Sequence, residues 1–186
     1  LEFELKDGWK IYWRNPGDAG YPPEINFGNN ENLSEIKWFW PAPKRFIFED
    51  MQNFGYEKKI IFPITATVKT TKEPLVLQAN ITALACKDIC VPIDGDLNLT
   101  IPVGNPVKTE HAASIYSFEK RVPTKATWPG FKILSVNANK NSILIKVKSK
   151  HPLIKPDVFI ESENGFRFGK PEVSISNNRL NASFIL

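Results

Sequence analysis

Apolar and polar residues alternate with a period of two along most of this chain, which is the pattern of strands that bury one face. In the clearest case, from Leu75 to Ala85, every second residue is apolar, and Gln78, Asn80 and Thr82 lie between them. Similar alternation recurs over residues 9–14, 62–68, 97–101, 143–147, 173–175 and 180–184. The pattern predicts an all-β protein, in which an immunoglobulin-like β-sandwich is followed by a second, truncated β-sandwich unit.

Turn and breaker residues divide this pattern into elements. Asn15-Pro16-Gly17-Asp18 predicts a turn after the first strand, and Asn164-Gly165 predicts a hairpin turn after a strand at Val158 to Ile160. Residues 45–56 carry three phenylalanines without a regular period and are predicted as a long aromatic loop. We expect the core of the first sandwich to include Phe62, Ile64, Leu77, Ile81, Leu97 and Leu99.

The composition shifts at Gly104-Asn105-Pro106. One helix is predicted beyond that point, over residues 109–122, with Thr109 as its N-cap and a proline after its end. The predicted organisation is a β-sandwich over residues 1–104, a linker with a short helix over 105–128, and a second, truncated β-rich domain over 129–186.

Composition and charge remove several classes of function. The formal net charge is +4, but the lysines are scattered and form no basic block interleaved with aromatics, so no nucleic-acid surface is predicted. No apolar run approaches the roughly 20 residues that span a bilayer, and the opening residues predict a strand and not a signal peptide. Both ends of the chain show strand-like alternation, so we expect a piece of a longer protein.

The chain has two cysteines, Cys86 and Cys90, at the end of one alternating segment and before the next. A disulfide needs Cα atoms about 4.4–6.8 Å apart, whereas residues four apart on one strand are roughly 13 Å apart. The flanking pattern therefore favours a β-hairpin whose tip is Lys87, Asp88 and Ile89. Pro92 is expected to limit strand pairing just beyond the tip.

A bridge that closes so short a loop restricts the unfolded chain little, so it is a weak structural staple. An exposed hairpin tip suits a reactive pair that another thiolate must reach. A redox pair is favoured, while a structural disulfide and free or metal-bound thiols stay open. Zinc needs four ligands, and His111 and His151 lie outside this segment, so no metal is predicted. Asp88 either raises the pKa of a neighbouring thiol or serves as a turn residue.

Several stretches, in order along the chain, resemble the N-terminal periplasmic domain of the DsbD family of protein-disulfide reductases. The resemblance is greatest to the ScsB branch, the suppressor-of-copper-sensitivity type, and covers residues 7–92. A looser similarity over residues 119–186 rests on Arg121-Val122-Pro123 and Trp128-Pro129. The stretches that carry the main resemblance are Asp7 to Gly20, Trp40-Pro41-Ala42-Pro43-Lys44-Arg45-Phe46, Phe54-Gly55-Tyr56-Glu57, Phe62-Pro63-Ile64 and Cys86-Lys87-Asp88-Ile89-Cys90-Val91-Pro92.

This resemblance implies a periplasmic redox relay within a larger, membrane-anchored enzyme. Such a domain receives electrons from the membrane segment of its own protein through a thioredoxin-like domain. It passes them to an oxidised periplasmic isomerase or reductase with a thioredoxin fold. No bound cofactor is implied, because the dithiol carries both electrons. By position, Cys90 matches the cysteine that forms mixed disulfides and Cys86 the resolving cysteine.

The resemblance also implies an aromatic cap over the sulfurs. Phe46 and Phe48 are the candidates, and the alternative is that both fill the core. Tyr12 is expected near the sulfurs by the same analogy, or as a packing residue of its strand. Better-known DsbD members have five residues between the cysteines and this chain has three, so the detailed cap geometry is not carried over. The alternative function is a non-catalytic binding or adhesion module with a structural disulfide.

Overall fold

The fold is described by a computed structural model covering residues 1–48, 50–124, 130–161 and 168–186, without the side chain of Phe48. The chain divides into two compact units, Leu1–Pro123 and Thr124–Leu186. The strands of the first unit are β1 (Glu2–Glu4), β2 (Lys10–Gly17), β3 (Glu24–Phe27), β4 (Leu33–Trp38), β5 (Lys44–Phe48), β6 (Met51–Glu57), β7 (Lys59–Ile61), β8 (Ile64–Val68), β9 (Leu75–Cys86) and β10 (Cys90–Ile101). They are followed by one helix, α1 (Ala112–Glu119), and the second unit contains β11 (Phe131–Ala138), β12 (Ile143–Ser149), β13 (Glu172–Ile175) and β14 (Asn181–Ile185).

The first unit is built on an antiparallel sheet in the order β10-β9-β2-β6-β5, with β3 paired to the middle of β9. Two shorter antiparallel pairs, β1–β7 and β4–β8, complete it. The two-residue alternation of the sequence turns one face of the main sheet inward, as in an immunoglobulin-like sandwich. The predicted all-β fold class is confirmed.

Phe62, which follows β7, lies at the centre of the core and is fully buried. Its ring meets four other aromatic rings at centroid distances of 5.0 to 6.0 Å, those of Phe3, Trp38, Trp40 and Tyr56. The Tyr56 hydroxyl donates a hydrogen bond of 2.7 Å to the Pro41 carbonyl, which satisfies both buried polar groups. These contacts join β6 of the main sheet to β1 and β4.

The predicted aromatic loop over residues 45–56 is wrong. The segment is a β-hairpin in which β5 pairs with β6, and Asp50 turns the chain with a φ of 64°. The five residues from Gln52 to Tyr56 are all buried, on both faces of the sheet. Alternation disappears when both faces are covered, because apolar residues are then needed at consecutive positions.

Two turn predictions near the cysteines also need correction. β2 does not end at Asn15 but continues to Gly17, and its register against β6 shifts between Tyr12 and Gly17, so the turn residues form a bulge. Pro92 does not limit pairing, since β10 pairs with β9 over its whole length. Proline is tolerated there because β10 is an edge strand among the described strands.

The predicted core is partly wrong. Phe62 and Ile81 are buried, but Leu97 and Leu99 on β10 are 38% and 55% exposed. They alternate as predicted, yet they lie on the edge strand. Ile64 and Leu77 are half-buried.

The predicted helix forms over the shorter range of α1, and its N-cap is His111 rather than Thr109. The segment after it is joined to the strands of the first unit, since the Ala42 N–H donates a hydrogen bond of 2.8 Å to the Arg121 carbonyl. Within the described residues, no helix is long and apolar enough to cross a membrane.

The described part of the second unit forms an antiparallel sheet in the order β11-β12-β14-β13 around Ile145, Val147, Ala182 and Phe184. The side chains of Val158 and Ile160 pack on that core. The predicted strand over these residues stays a prediction, because the hairpin turn that would pair it and the residues directly after that turn are not among those described. The predicted turn at Asn164-Gly165, like Trp128-Pro129, lies outside the described residues.

Candidate redox site

The two cysteines face each other across the end of the β9–β10 hairpin. Cys86 is the last residue of β9 and Cys90 the first of β10, and they form a directly opposed pair. They are joined as a disulfide with a Cα–Cα distance of 4.1 Å, slightly shorter than expected. The Lys87 N–H donates a hydrogen bond of 2.9 Å to the Ile89 carbonyl within the tip. The predicted three-residue hairpin tip is confirmed.

The two cysteines differ in their access to solvent. Cys86 is only 8% exposed, because β9 lies between β2 and β10 at this level. Cys90 is exposed, because it begins the edge strand. An incoming thiolate must approach one sulfur in line with the S–S bond, and the more open approach is at Cys90.

Tyr12 lies on the sheet face that carries Cys86. It is two residues beyond Lys10, which pairs directly with Cys86 across β2 and β9. The Tyr12 side chain is buried, and burial raises the pKa of its phenol. The backbone of Gly20, with a φ of 113°, passes so close to the Tyr12 ring that any side chain there would clash with it.

Residues 18–20 are held over this ring by hydrogen bonds to β6. The Asp18 N–H donates to the Gln52 carbonyl at 2.8 Å, and the Gln52 N–H donates to the Asp18 carboxylate at 2.7 Å. The Ala19 N–H donates to the Asn53 side-chain oxygen at 3.1 Å. The segment is therefore a fixed wall of the site.

An apolar cavity of about 260 Å³ lies beside the disulfide. Phe46 from β5 and Met51 from β6 line it opposite the hairpin tip. The Lys10 ammonium lies 5.2 Å from the centroid of the Phe46 ring. Side chains alternate between the two faces of β6, so Phe54 is buried on the face opposite to that of Met51 and Asn53.

The structure brings most of the predicted site residues to one cavity, which is lined by Tyr12, Phe46, Cys86, Asp88 and Cys90. Asp88 is exposed at the hairpin tip. The Phe48 side chain lies outside the described residues.

Sequence reasoning missed Lys10 and Gly20. Lys10 was missed because only the pairing of β2 with β9 brings it beside Cys86. Gly20 carried no signal of its own. Among the residues that the structure describes, no group of three or more His, Cys, Asp or Glu side chains could hold a metal ion.

A disulfide at an accessible hairpin tip beside an apolar cavity is the arrangement expected of a thiol–disulfide interchange domain. The family model for the N-terminal region of the thiol:disulfide interchange protein DsbD matches residues 1–102, more than half of the 186-residue chain. The chain belongs to this family, as its motifs predicted. A model for a domain of unknown function, DUF8393, matches residues 121–186.

Among solved structures, the N-terminal periplasmic domain of ScsB from Proteus mirabilis has a similar fold, with a TM-score of 0.78 and 24% identity. The match covers 100% of this chain and 72% of that one. No curated protein matches the chain. The predicted periplasmic location agrees with the family and with the periplasmic origin of the ScsB domain.

Proposed function

We propose that this domain relays two electrons to oxidised periplasmic proteins through reversible opening of the Cys86–Cys90 disulfide. The electrons come from a thioredoxin-like domain of the same protein, which is anchored in the membrane by a further segment. The acceptor is an oxidised isomerase or reductase with a thioredoxin fold. The observation that carries the proposal is the unequal access of the two sulfurs in a member of the DsbD family.

The exchange proceeds through two thiolate attacks. In the reduced domain, the Cys90 thiolate attacks a sulfur of the partner's disulfide, a mixed disulfide forms, and the partner's other sulfur leaves as a thiolate. The Cys86 thiolate then attacks the Cys90 sulfur, re-forms the internal disulfide and releases the partner with both electrons. The exposure of Cys90 and the burial of Cys86 support this division of roles.

Trapping with single-cysteine variants tests the proposal. Cys86→Ala should accumulate a covalent complex with an oxidised thioredoxin-fold partner, because nothing remains to resolve it. Cys90→Ala should give little complex, since its remaining thiol is buried. A complex with Cys90→Ala alone would reverse the roles, and no complex with either variant would count against the relay.

The reduction potential of the pair separates exchange from a structural role. Structural disulfides lie below about −300 mV, and exchanging disulfides lie higher. Equilibration with a glutathione or dithiothreitol buffer gives this value directly. We expect a potential above that limit, and a lower one would favour the binding module with a structural disulfide.

We also propose that Phe46 caps the reduced cysteine pair. We further propose that residues 1–104 form the domain that carries out thiol exchange, and that residues 105–128 connect this domain to the β-rich domain over residues 129–186. A periplasmic dithiol needs protection, because the oxidising machinery of that compartment would otherwise drain its electrons. The Phe46 ring supports this role because it borders the same cavity as both cysteines. The family match over residues 1–102 supports the assignment of exchange to the first domain.

A further inference from the structure

Four residues form a row across adjacent strands of the main sheet. Glu57 on β6 is paired with Lys10 on β2, Lys10 with Cys86 on β9, and Cys86 with Cys90 on β10. Directly opposed residues of antiparallel strands project to the same face, with Cβ atoms about 4.5–5.5 Å apart. Lys10 is therefore the immediate neighbour of Cys86 on the side away from Cys90.

Glu57 and Lys10 are the two charged residues of this row, and each has a partner on β5. The Glu57 carboxylate is 3.4 Å from the Lys44 ammonium, so its charge is balanced from β5. The Lys10 ammonium lies over the Phe46 ring, 5.2 Å from its centroid, where the ring face attracts the cation. In the disulfide form both sulfurs are uncharged, so they do not attract the Lys10 ammonium away from the Phe46 ring.

Besides Lys10 and the cysteines, three titratable side chains of the described residues line the cavity, those of Tyr12, Lys87 and Asp88. Lys87 and Asp88 are exposed at the hairpin tip, and the Lys87 stem lies against Gly8. The phenol of Tyr12 is kept neutral by its burial, which raises its pKa. The remaining side chains that line the cavity from β5 and β6, those of Phe46, Met51 and Asn53, carry no charge.

We propose that Lys10 is a positioning residue that stabilises the thiolate of Cys86, the resolving cysteine. The proposal rests on the function proposed above. Only a thiolate attacks a disulfide, and burial in apolar surroundings disfavours the charged form of a thiol. Lys10 offsets that cost, because its side chain can place a positive charge beside Cys86 when the disulfide opens.

The same placement serves both directions of exchange. During reduction of the domain, a donor thiolate forms a bond to the Cys90 sulfur, the Cys86–Cys90 bond breaks, and its electron pair stays on Cys86. During oxidation of the domain, the Cys86 thiolate uses that electron pair to bond to Cys90 again, and the partner's sulfur leaves as a thiolate. In each case negative charge resides on Cys86 beside Lys10. The ammonium therefore makes Cys86 a better leaving group when the disulfide opens, and it raises the fraction of Cys86 that is thiolate when Cys86 attacks.

The position of the ammonium also links activation to docking. In the disulfide form Lys10 rests on Phe46, the proposed cap. A partner that displaces this ring removes the contact that holds Lys10 away from the sulfur. Opening the cap and stabilising the Cys86 thiolate thus become parts of one event.

The direct test is the pKa of Cys86, measured in a Cys90→Ala background from the ultraviolet absorbance of the thiolate against pH. Lys10→Met should raise this pKa by about one unit, the lower end of the effect of an adjacent opposite charge. Lys10→Arg should leave it near its original value. Lys72→Met removes the same charge from the turn before β9 and should not change it, because β9 begins at Leu75, roughly 36 Å from Cys86 along the strand.

A kinetic test uses the two cysteines together. The reduced protein is mixed with the aromatic disulfide DTNB, which releases one coloured thiolate on attack by Cys90 and a second when Cys86 resolves the mixed disulfide. Lys10→Met should slow the second phase about threefold at neutral pH. That figure combines a tenfold smaller thiolate fraction with the higher nucleophilicity of a more basic thiolate. The first phase should not change.

An unchanged Cys86 pKa in Lys10→Met, or an equal change in Lys72→Met, overturns the proposal. Denaturant midpoints of both variants show whether the fold is kept. The role of Lys10 and the proposed relay can fail independently, because the trapping of a partner by Cys86→Ala does not require Lys10. A normal trap with an unchanged Cys86 pKa would remove the role of Lys10 and leave the relay intact.

Discussion

The two faces of the main sheet are both lined with aromatic rings, and they differ in how completely the rings are packed. On the inner face, Tyr56 packs against the fully buried Phe62. On the outer face, Phe46 and Tyr12 border a cavity of about 260 Å³. Adjacent residues of one strand serve both faces, since Ile11 turns inward and Tyr12 turns towards the cysteines.

The difference separates stability from function within a single sheet. A ring in a filled core makes dispersion contacts on every side, whereas a ring beside a void lacks those contacts on one side. The inner rings therefore stabilise the fold. The outer rings contribute less to folding, and their position beside Cys86 and Cys90 suits the control of access.

The largest effect is expected for Phe62→Ala, which should destabilise the first unit by about 3–5 kcal/mol through lost burial and a new cavity. Phe46→Ala, the matched change on the outer face, should cost about 1 kcal/mol because this ring is only half-buried. Urea unfolding of both variants measures the contrast. Equal losses would mean that the outer ring is as much a core residue as the inner one.

Phe46→Ala should instead act on the rate of oxidation. If a half-buried ring contributes about 1 kcal/mol to the closed state, its removal should speed reaction of the reduced pair with a small oxidant about fivefold. Stopped-flow kinetics with DTNB measure this rate, and Phe54→Ala on the other face of β6 is the control. A slower or unchanged rate in Phe46→Ala, together with a large loss of stability, would falsify the cap.

Removing one hydroxyl from each face makes a finer comparison. Tyr56→Phe leaves the buried Pro41 carbonyl without its donor and should cost about 1–2 kcal/mol. Tyr12→Phe should cost less than about 0.5 kcal/mol, because its ring borders the cavity beside the disulfide and not the filled core. Thermal or urea unfolding of the two tyrosine variants measures these losses. A larger loss of stability in Tyr12→Phe than in Tyr56→Phe would contradict the assignment of the two faces.

A small effect on stability is also expected for the double variant Cys86→Ala with Cys90→Ala. Relative to the reduced protein, it should lose less than about 1 kcal/mol, because it removes two sulfur atoms at the end of a hairpin and leaves the ring cluster around Phe62 intact. Unfolding of the double variant and of wild type in reductant gives the difference. A loss comparable to that of Phe62→Ala would support a structural disulfide.

The sequence predicted the elements that bury one face and failed where both faces are covered. The alternation of β9 located the strand and its hairpin tip, because its outer residues, such as Gln78 and Asn80, are polar. β6 has apolar or tightly packed residues on both sides, so the same test found no period. Its turn at Asp50 uses a left-handed conformation that aspartate adopts without a distinctive local motif.

Site residues were predictable to the extent that they belonged to a motif. Cys86 and Cys90 were located by their spacing and strand context, and Phe46 and Tyr12 by family resemblance. Lys10 was missed because its importance depends on strand register. Only the pairing of β2 with β9 brings it beside Cys86, and no local pattern in the sequence encodes that pairing.

The exposed edge of β10 bears on how this protein avoids sticking to itself. A long unpaired edge can template another chain and lead to aggregation. Here Pro92 lacks a backbone donor, and the exposed carboxylates of Asp94 and Asp96 follow it on the same strand. Two copies aligned antiparallel about Gly95 would bring these carboxylates into opposition, which disfavours the pairing. The edge that begins with Cys90 is thereby kept free of strand-to-strand association that would bury its sulfur.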